Sequence, residues 1–310
     1  MLSTVSLNAA SLATAFLGAA SLGGVSSAPH STPDAHIIDA DGIIVAIEEW
    51  LSDEHADPSA SAASDIVQWQ TQAIVSLQNA FFEAEAFNES IGAWDIARVT
   101  SLKATFKGAS AFNRPLGDWD TSKVVSLEGC FNDAVAFNQD LSLWDTSGVS
   151  TMAFLFEGAS AFNQPLEGWN VDSVTSLDST FYGAASFNQN IQSWDTRRVR
   201  TLQNTFRSAA SFACGGIGKW DVSQVSSLSN TFLDASTFNC NLHWDVSRVS
   251  SLRNTFSEAT AFDGNIAGWL ISSFVTELDH SEYSICCHFK YVIDSPQSPR
   301  VFLTLTQLLL

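Results

Sequence analysis

Apolar and polar positions recur with a period close to 25 residues through most of the chain. Counted from each repeated tryptophan as offset zero, apolar residues stand at offsets +5, +8, +12, +15, +18 and +22, and mostly polar or small residues lie between them. Six of the eight intervals between these tryptophans are 25 residues, one is 26 and the next is 24. The tryptophans are Trp69, Trp94, Trp119, Trp144, Trp169, Trp194, Trp220, Trp244 and Trp269. One such unit cannot bury its apolar face alone, so the pattern predicts units that stack on one another.

The repeated unit reads W-D-[TV]-S-x-V-x-S-L-x-x-T-F-x-x-A-x-A-F-N-x-x-L-x-x. Val at +5 and Ser or Thr at +7 face one side of an extended segment, which predicts short strands paired in parallel between units. Apolar residues at +8, +12 and +15, such as Leu127, Phe131 and Ala134, have the spacing of one helix stripe, and Ser126 precedes them as a cap. The period is typical of leucine-rich repeats. The expected fold is an α/β repeat, a right-handed leucine-rich-repeat-like solenoid with short parallel strands, short helices and about 25 residues per coil.

The chain divides into four segments on this pattern. Residues 1–36 are expected to be a leader or disordered segment, 37–68 an N-terminal helical cap, 69–268 a solenoid of eight repeats, and 269–310 a degenerate repeat with an uncertain tail. In the cap segment, Ile43, Ile47 and Leu51 have helical spacing, and such a helix can cover the first repeat. The tail is compatible with a divergent cap and also with an altered end of the gene.

Residues 1–28 combine an apolar stretch with small residues but contain no Lys or Arg. A secretory signal normally begins with a cationic segment, so a signal peptide and a Ser/Ala-rich leader both remain open. The final ten residues, VFLTLTQLLL, are about half of what a membrane-crossing helix needs. We expect a secreted or cell-surface protein without a membrane span.

The composition narrows the classes of partner. Apolar residues make up 45% of the chain, which is ample for a buried core, while 14 Lys and Arg stand against 33 Asp and Glu for a net charge of −19. This charge opposes attraction to nucleic acid and favours cations and basic partners.

Two polar columns run through the repeats. Asn follows the phenylalanine at +18 and Asp follows the tryptophan, and both residue types favour turns by bonding their own backbone. The Asn column is Asn88, Asn113, Asn138, Asn163, Asn188 and Asn239, and the Asp column is Asp95, Asp120, Asp145, Asp195, Asp221 and Asp245. The alternative for the Asp column is a ladder of calcium sites. For the tryptophan column, core packing competes with an exposed strip that stacks on sugars.

Half of the lysines and arginines gather near the predicted strands. They are Arg98, Lys123, Arg198 and Arg248 at +4, Arg200 at +6, and Lys103 and Arg253 at +9. One interpretation is neutralisation of the neighbouring Asp column. The other is a candidate binding face, a strip of mixed charge that docks an acidic partner.

Cys214 and Cys240 both stand at offset +20 of consecutive repeats, so stacking would bring them within the distance of a disulfide. The alternative is two unpaired surface cysteines. The six histidines lack the spacing of a zinc motif, and no glycine-rich phosphate loop follows a strand. The sequence therefore predicts no catalytic residue, no metal and no cofactor, and we expect that the protein is not an enzyme.

The repeat resembles the BspA-type leucine-rich-repeat surface proteins of bacteria and some protists. The resemblance covers roughly residues 37–270 and depends on W-D-T-S-x-V-x-S-L followed by F and F-N in one register. The family usually has V-T-D-M-x-x-M-F, whereas this chain has Ser or Thr at the Asp position and largely Leu and Thr in place of the two Met. The resemblance implies a non-catalytic, adhesin-like scaffold that presents variable residues to a protein or glycan. The alternative is a structural matrix or wall component that self-associates, with cations bridging its copies.

Overall fold

The computed structural model describes residues 42–52, 66–266, 268–271, 288–293 and 301–306, all within the compact unit Ala35–Leu310. The expected leader at 1–36 lies outside the described residues, as does most of the expected tail. The first element, α1, spans Ile43–Ser52 and buries Ile43 and Ile47. The ring of Trp50 meets the ring of Phe87 edge-on at 5.9 Å, so α1 packs against the first repeat.

The repeats stack in chain order through parallel bridges at offset +7. Ser76 bridges Ser101, Ser101 bridges Ser126, and the series continues through Thr151, Ser176, Thr201 and Ser227 to Ser251. The predicted strands are therefore shorter than expected, with one bridge per pair of repeats. The bridge cannot lengthen toward +5, because the Val99 amide donates inside its own repeat to Ile96 O (2.8 Å).

The short helix predicted across +8 to +15 does not form in the described repeats, which have turns there. The backbone takes a positive φ at +10 and +14 of each repeat, as at Ala104 (φ 52) and Gly108 (φ 76), and two left-handed residues break a right-handed helix. Every second amide is also used between repeats, since Phe106 N–H donates to Cys130 O at 2.8 Å. The amides between them close turns, so stacking replaces the helical hydrogen-bond pattern.

The core is a set of aromatic columns that crosses every repeat. Within a repeat, the phenylalanine rings at +12 and +18 stack closely, as Phe106 and Phe112 do with centroids 4.1 Å apart. Between repeats, equivalent rings also stack, with Phe106 and Phe131 at 5.5 Å and Trp144 and Trp169 at 6.4 Å. These rings are buried, so the interior is continuous from one repeat to the next.

Two irregular parts depart from the repeat. The additional residue of the sixth repeat is accommodated in a 3-10 turn at Ile217–Lys219, which follows Gly215 and Gly216, both with positive φ. After Trp269 come the strands β1 (Leu270–Ile271), β2 (His288–Ile293) and β3 (Val301–Thr306). They form an antiparallel sheet in the order β1-β3-β2, a topology that the repeat pattern does not predict.

Candidate ligand-binding face

The tryptophan column is committed to the core. From Trp94 onward, each indole Nε1 donates to a backbone carbonyl two or three residues before the previous tryptophan of the column, as Trp119 does to Ile91 O (3.2 Å) and Trp144 to Leu116 O (2.9 Å). The same bond is made by Trp94, Trp169, Trp194, Trp220, Trp244 and Trp269. Because the described rings are buried and their N–H groups are used, this column offers no surface for stacking on sugars.

The asparagine column joins consecutive repeats through side-chain hydrogen bonds. Asn113 Oδ1 accepts the backbone N–H of Asn138 at 3.0 Å, and Asn138 and Asn163 accept equivalent bonds from the next repeat. Asn188 Oδ1 accepts from Ala213 N–H at 3.1 Å. Glutamines at +20, which sequence reasoning missed, add to the column: Gln139 Nε2 donates to Asn113 Oδ1 at 2.7 Å. Their signal was a Gln directly after Asn in three successive repeats.

The aspartate column forms turns rather than metal sites. Asp120 Oδ1 accepts the Ser122 amide at 3.0 Å, and Asp145 Oδ1 accepts the Ser147 amide at 2.9 Å. Hydrogen bonds from the serine side chains, followed by those from their amides, lower the pKa of Asp120 and Asp145. No group of three His, Cys, Asp or Glu residues positioned for a metal ion occurs in the part of the chain that the structure describes.

The seven cations of the candidate face differ in exposure and in their partners. Six of them are exposed: Arg98, Lys123, Arg198, Arg200, Arg248 and Arg253. Lys103 is half-buried, and its Nζ lies 2.9 Å from Glu128 Oε1. Within the described residues, none of the +4 cations forms an ion pair with the aspartate column; Arg197 at +3 pairs with Asp195 instead. Lys123 only adds a Coulombic effect that helps lower the pKa of Asp120.

The structure places Cys214 and Cys240 in a disulfide between the sixth and seventh repeats, with their Cα atoms 5.1 Å apart. The free cysteine among the described residues, Cys130, is buried. Burial raises the pKa of the Cys130 thiol far above its ordinary value, which leaves it unreactive.

A groove of about 450 Å³ lies on the surface formed by offsets +9, +10, +13 and +14 of the second to fourth repeats. We call the surface that these four offsets form along all the repeats the turn face, because its residues belong to the turns that replace the predicted helices. The side chains that define the groove are Lys103, Lys107, Glu128, Asp133, Phe154 and Glu157. Of these, sequence reasoning singled out Lys103 alone.

The groove is lined by two carboxylates, those of Asp133 and Glu157, that form no ion pair within the described residues. Lys103 is engaged by Glu128, and Lys107 Nζ lies 5.9 Å from the centroid of the Phe82 ring in the preceding repeat. Burial, then the nearby Asp133 carboxylate, raises the pKa of Glu157, and Lys107 offsets this only in part. The Asp133 carboxylate itself lies against the backbone of Gly158, where a side chain would collide with it.

Phe154 forms an apolar wall of the groove and is 38% exposed. Its backbone is left-handed, with φ 61, a conformation that bulky residues rarely adopt. The same offset elsewhere holds only small residues or asparagine: Asn79, Ala104, Gly129, Ser179, Asn204, Asn230 and Asn254. An aromatic residue in a column of small residues was the signal that would have identified this position.

A comparison with known protein families finds the repetition as well. The family model described as "Mycoplasma protein of unknown function, DUF285" matches the chain three times, over residues 52–153, 116–215 and 190–284. No curated protein and no solved structure matches the chain. Among the described helices, none has the length and apolar character needed to cross a membrane.

Proposed function

Because the chain belongs to the repeat family described as Mycoplasma protein of unknown function, DUF285, we propose that it is a non-catalytic binding scaffold, secreted or held at the cell surface. Its stacked repeats would present the turn face to a protein or glycan ligand. The parallel bridges and aligned aromatic columns support a right-handed, leucine-rich-repeat-like solenoid of the BspA type as its fold.

The observation that carries this proposal is the contrast between columns. Offsets that stacking uses keep one residue type, since Trp, Val and Phe recur in nearly every repeat. Offset +9 on the turn face instead changes from Lys103 to Glu128 to Ala153 to Asp178 in successive repeats. Stacking uses the backbone at this offset and does not fix the side-chain type, so the side chains that reach the surface here are available to recognise a ligand, as the variable faces of other repeat proteins are.

Two further features support the assignment. The disulfide between Cys214 and Cys240 is typical of proteins that fold in an oxidising compartment, which favours secretion. On the turn face, Lys103 is held by Glu128, an arrangement suited to shaping a surface rather than to proton transfer.

The test is a screen of the full chain against protein and glycan arrays, with two variants. The face variant, Phe154→Asn with Phe82→Ser, removes two exposed rings of the turn face; the control, Leu143→Ser, removes an exposed apolar residue at +24. We expect a ligand that is captured by the wild type and the control but lost by the face variant. Equal capture by all three proteins would overturn the assignment of the face. Calcium-dependent assembly without any captured ligand would instead support a structural matrix component.

A further inference from the structure

Contacts on the turn face indicate which chemical group its aromatic rings bind. Lys107 reaches back over Phe82 with its Nζ 5.9 Å from the ring centroid, and Arg207 lies over Tyr182 with its Cζ at 4.8 Å. In both cases a cation from the next repeat covers an aromatic residue at +13. Cations are attracted to the negative face of an aromatic ring within about 6 Å of its centroid. The described contacts include no cation over Phe154.

The surroundings of Phe154 favour the same chemistry from outside the chain. Asp133 and Glu157 line the groove beside the ring, and neither is in an ion pair within the described repeats. Burial, followed by repulsion from Asp133, raises the pKa of Glu157, although Lys107 and Arg207 act in the opposite direction. A bound cation would relieve this repulsion, and the net charge of −19 would attract a basic partner from a distance.

Building on the proposed function, we propose that this groove docks a basic, extended segment of a partner protein. A Lys or Arg side chain of the partner lays its apolar stem along the Phe154 ring and directs its charge to Asp133 and Glu157. The Lys103–Glu128 pair also lines the groove, and Lys103 would repel a second cation there. The expected ligand is therefore opposite in charge to the acidic partner that the cationic columns suggested.

The experiment measures binding of fluorescein-labelled decapeptides to the full chain by anisotropy. The probes are an alternating Arg-Ser peptide, an alternating Glu-Ser peptide and an alternating Gln-Ser peptide. The groove variant is Asp133→Asn with Glu157→Gln, and the matched control is Asp118→Asn with Asp172→Asn, two exposed carboxylates outside the groove. Both variants change the net charge equally, so long-range attraction cancels between them.

We expect the wild type to bind the Arg-Ser peptide and not the Glu-Ser or Gln-Ser peptides. The groove variant should weaken this binding by about tenfold and Phe154→Asn by about fivefold, while the control changes it by less than about twofold. Equal losses in the groove and control variants would show attraction by net charge alone and overturn the proposal, as would full binding by Phe154→Asn. If an array ligand requires Phe154 but the Arg-Ser peptide does not bind, the scaffold function stands and the basic ligand is wrong.

Discussion

Replacing Phe154 with asparagine should leave the stability of the fold almost unchanged. The ring is 38% exposed, so about 60% of its surface is covered by the protein. Full burial of a phenylalanine contributes about 1.5–3 kcal/mol, and losing this fraction would cost about 1–2 kcal/mol. The left-handed backbone at φ 61 costs about 1–2 kcal/mol for an ordinary residue, and asparagine tolerates it better. The two effects cancel to within about 1 kcal/mol.

The matched variant lies two residues further along. Phe156 is 0% exposed and stacks on Phe162 at 3.9 Å, so Phe156→Ala should lose about 3–5 kcal/mol from the free energy of unfolding. Urea unfolding followed by tryptophan fluorescence measures both changes, because the described tryptophans are buried in the folded protein, as Trp169 is at 6.2 Å from Phe156.

A drop in the Phe154→Asn midpoint as large as that of Phe156→Ala would refute the reasoning. It would show that the Phe154 ring is part of the core, and its exposed surface would then give no support to a ligand. A midpoint at or above that of the wild type, together with lost peptide binding, would show that the fold carries this residue at a cost for the sake of recognition.

Three further predictions address the columns and the disulfide. Trp144→Phe keeps a buried aromatic ring but removes one of the two donors to the Leu116 carbonyl, which also accepts the Trp119 amide at 3.1 Å. It should lower the free energy of unfolding by about 0.5–1.5 kcal/mol in urea titrations, and no change would mean that water replaces the indole. The pKa of Asp145 is lowered in the folded state, so its contribution to stability is present above the unfolded pKa and is lost as pH falls through the folded pKa. In an acid titration, Asp145→Asn should therefore lose stability less steeply below about pH 4 than the wild type. Parallel curves for the two proteins would contradict this. Reduction of Cys214–Cys240, which are 26 residues apart, should cost up to about 3 kcal/mol, checked by thermal midpoints with and without reductant and refuted by peptide mapping that finds both thiols free.

The sequence predicts the stacking direction well because one register of tryptophans fixes it. An indole that recurs at a constant interval has one simple way to be buried, which is against its equivalent in the next repeat, as Trp144 and Trp169 are. The helix at +8 to +15 was wrong because spacings of four and three also arise when alternate side chains point into a stack of turns. Glycines at +14, such as Gly108 and Gly158, were the available sign of left-handed backbone.

The candidate site was less predictable than the scaffold. The cationic columns are visible in the sequence, but the side on which each side chain lies depends on turn geometry that periodicity does not encode. Lys103 and Arg253 share offset +9, yet within the described residues Lys103 forms an ion pair with the next repeat and Arg253 forms none. The groove at Phe154 is formed by three repeats together, so it cannot be recognised in the sequence of any single repeat.

The amides at +8, +10, +12 and +14 all donate toward the following repeat, as Leu77, Asn79, Phe81 and Glu83 donate to the repeat that begins at Trp94. Each repeat therefore has one edge of backbone hydrogen-bond donors and one edge of acceptors. Gain or loss of one whole unit leaves both edges matched, whereas a partial insertion does not. Whole repeats can therefore be added or removed, which changes the number of stacked repeats. The groove at Phe154 is kept only where its three repeats stay adjacent.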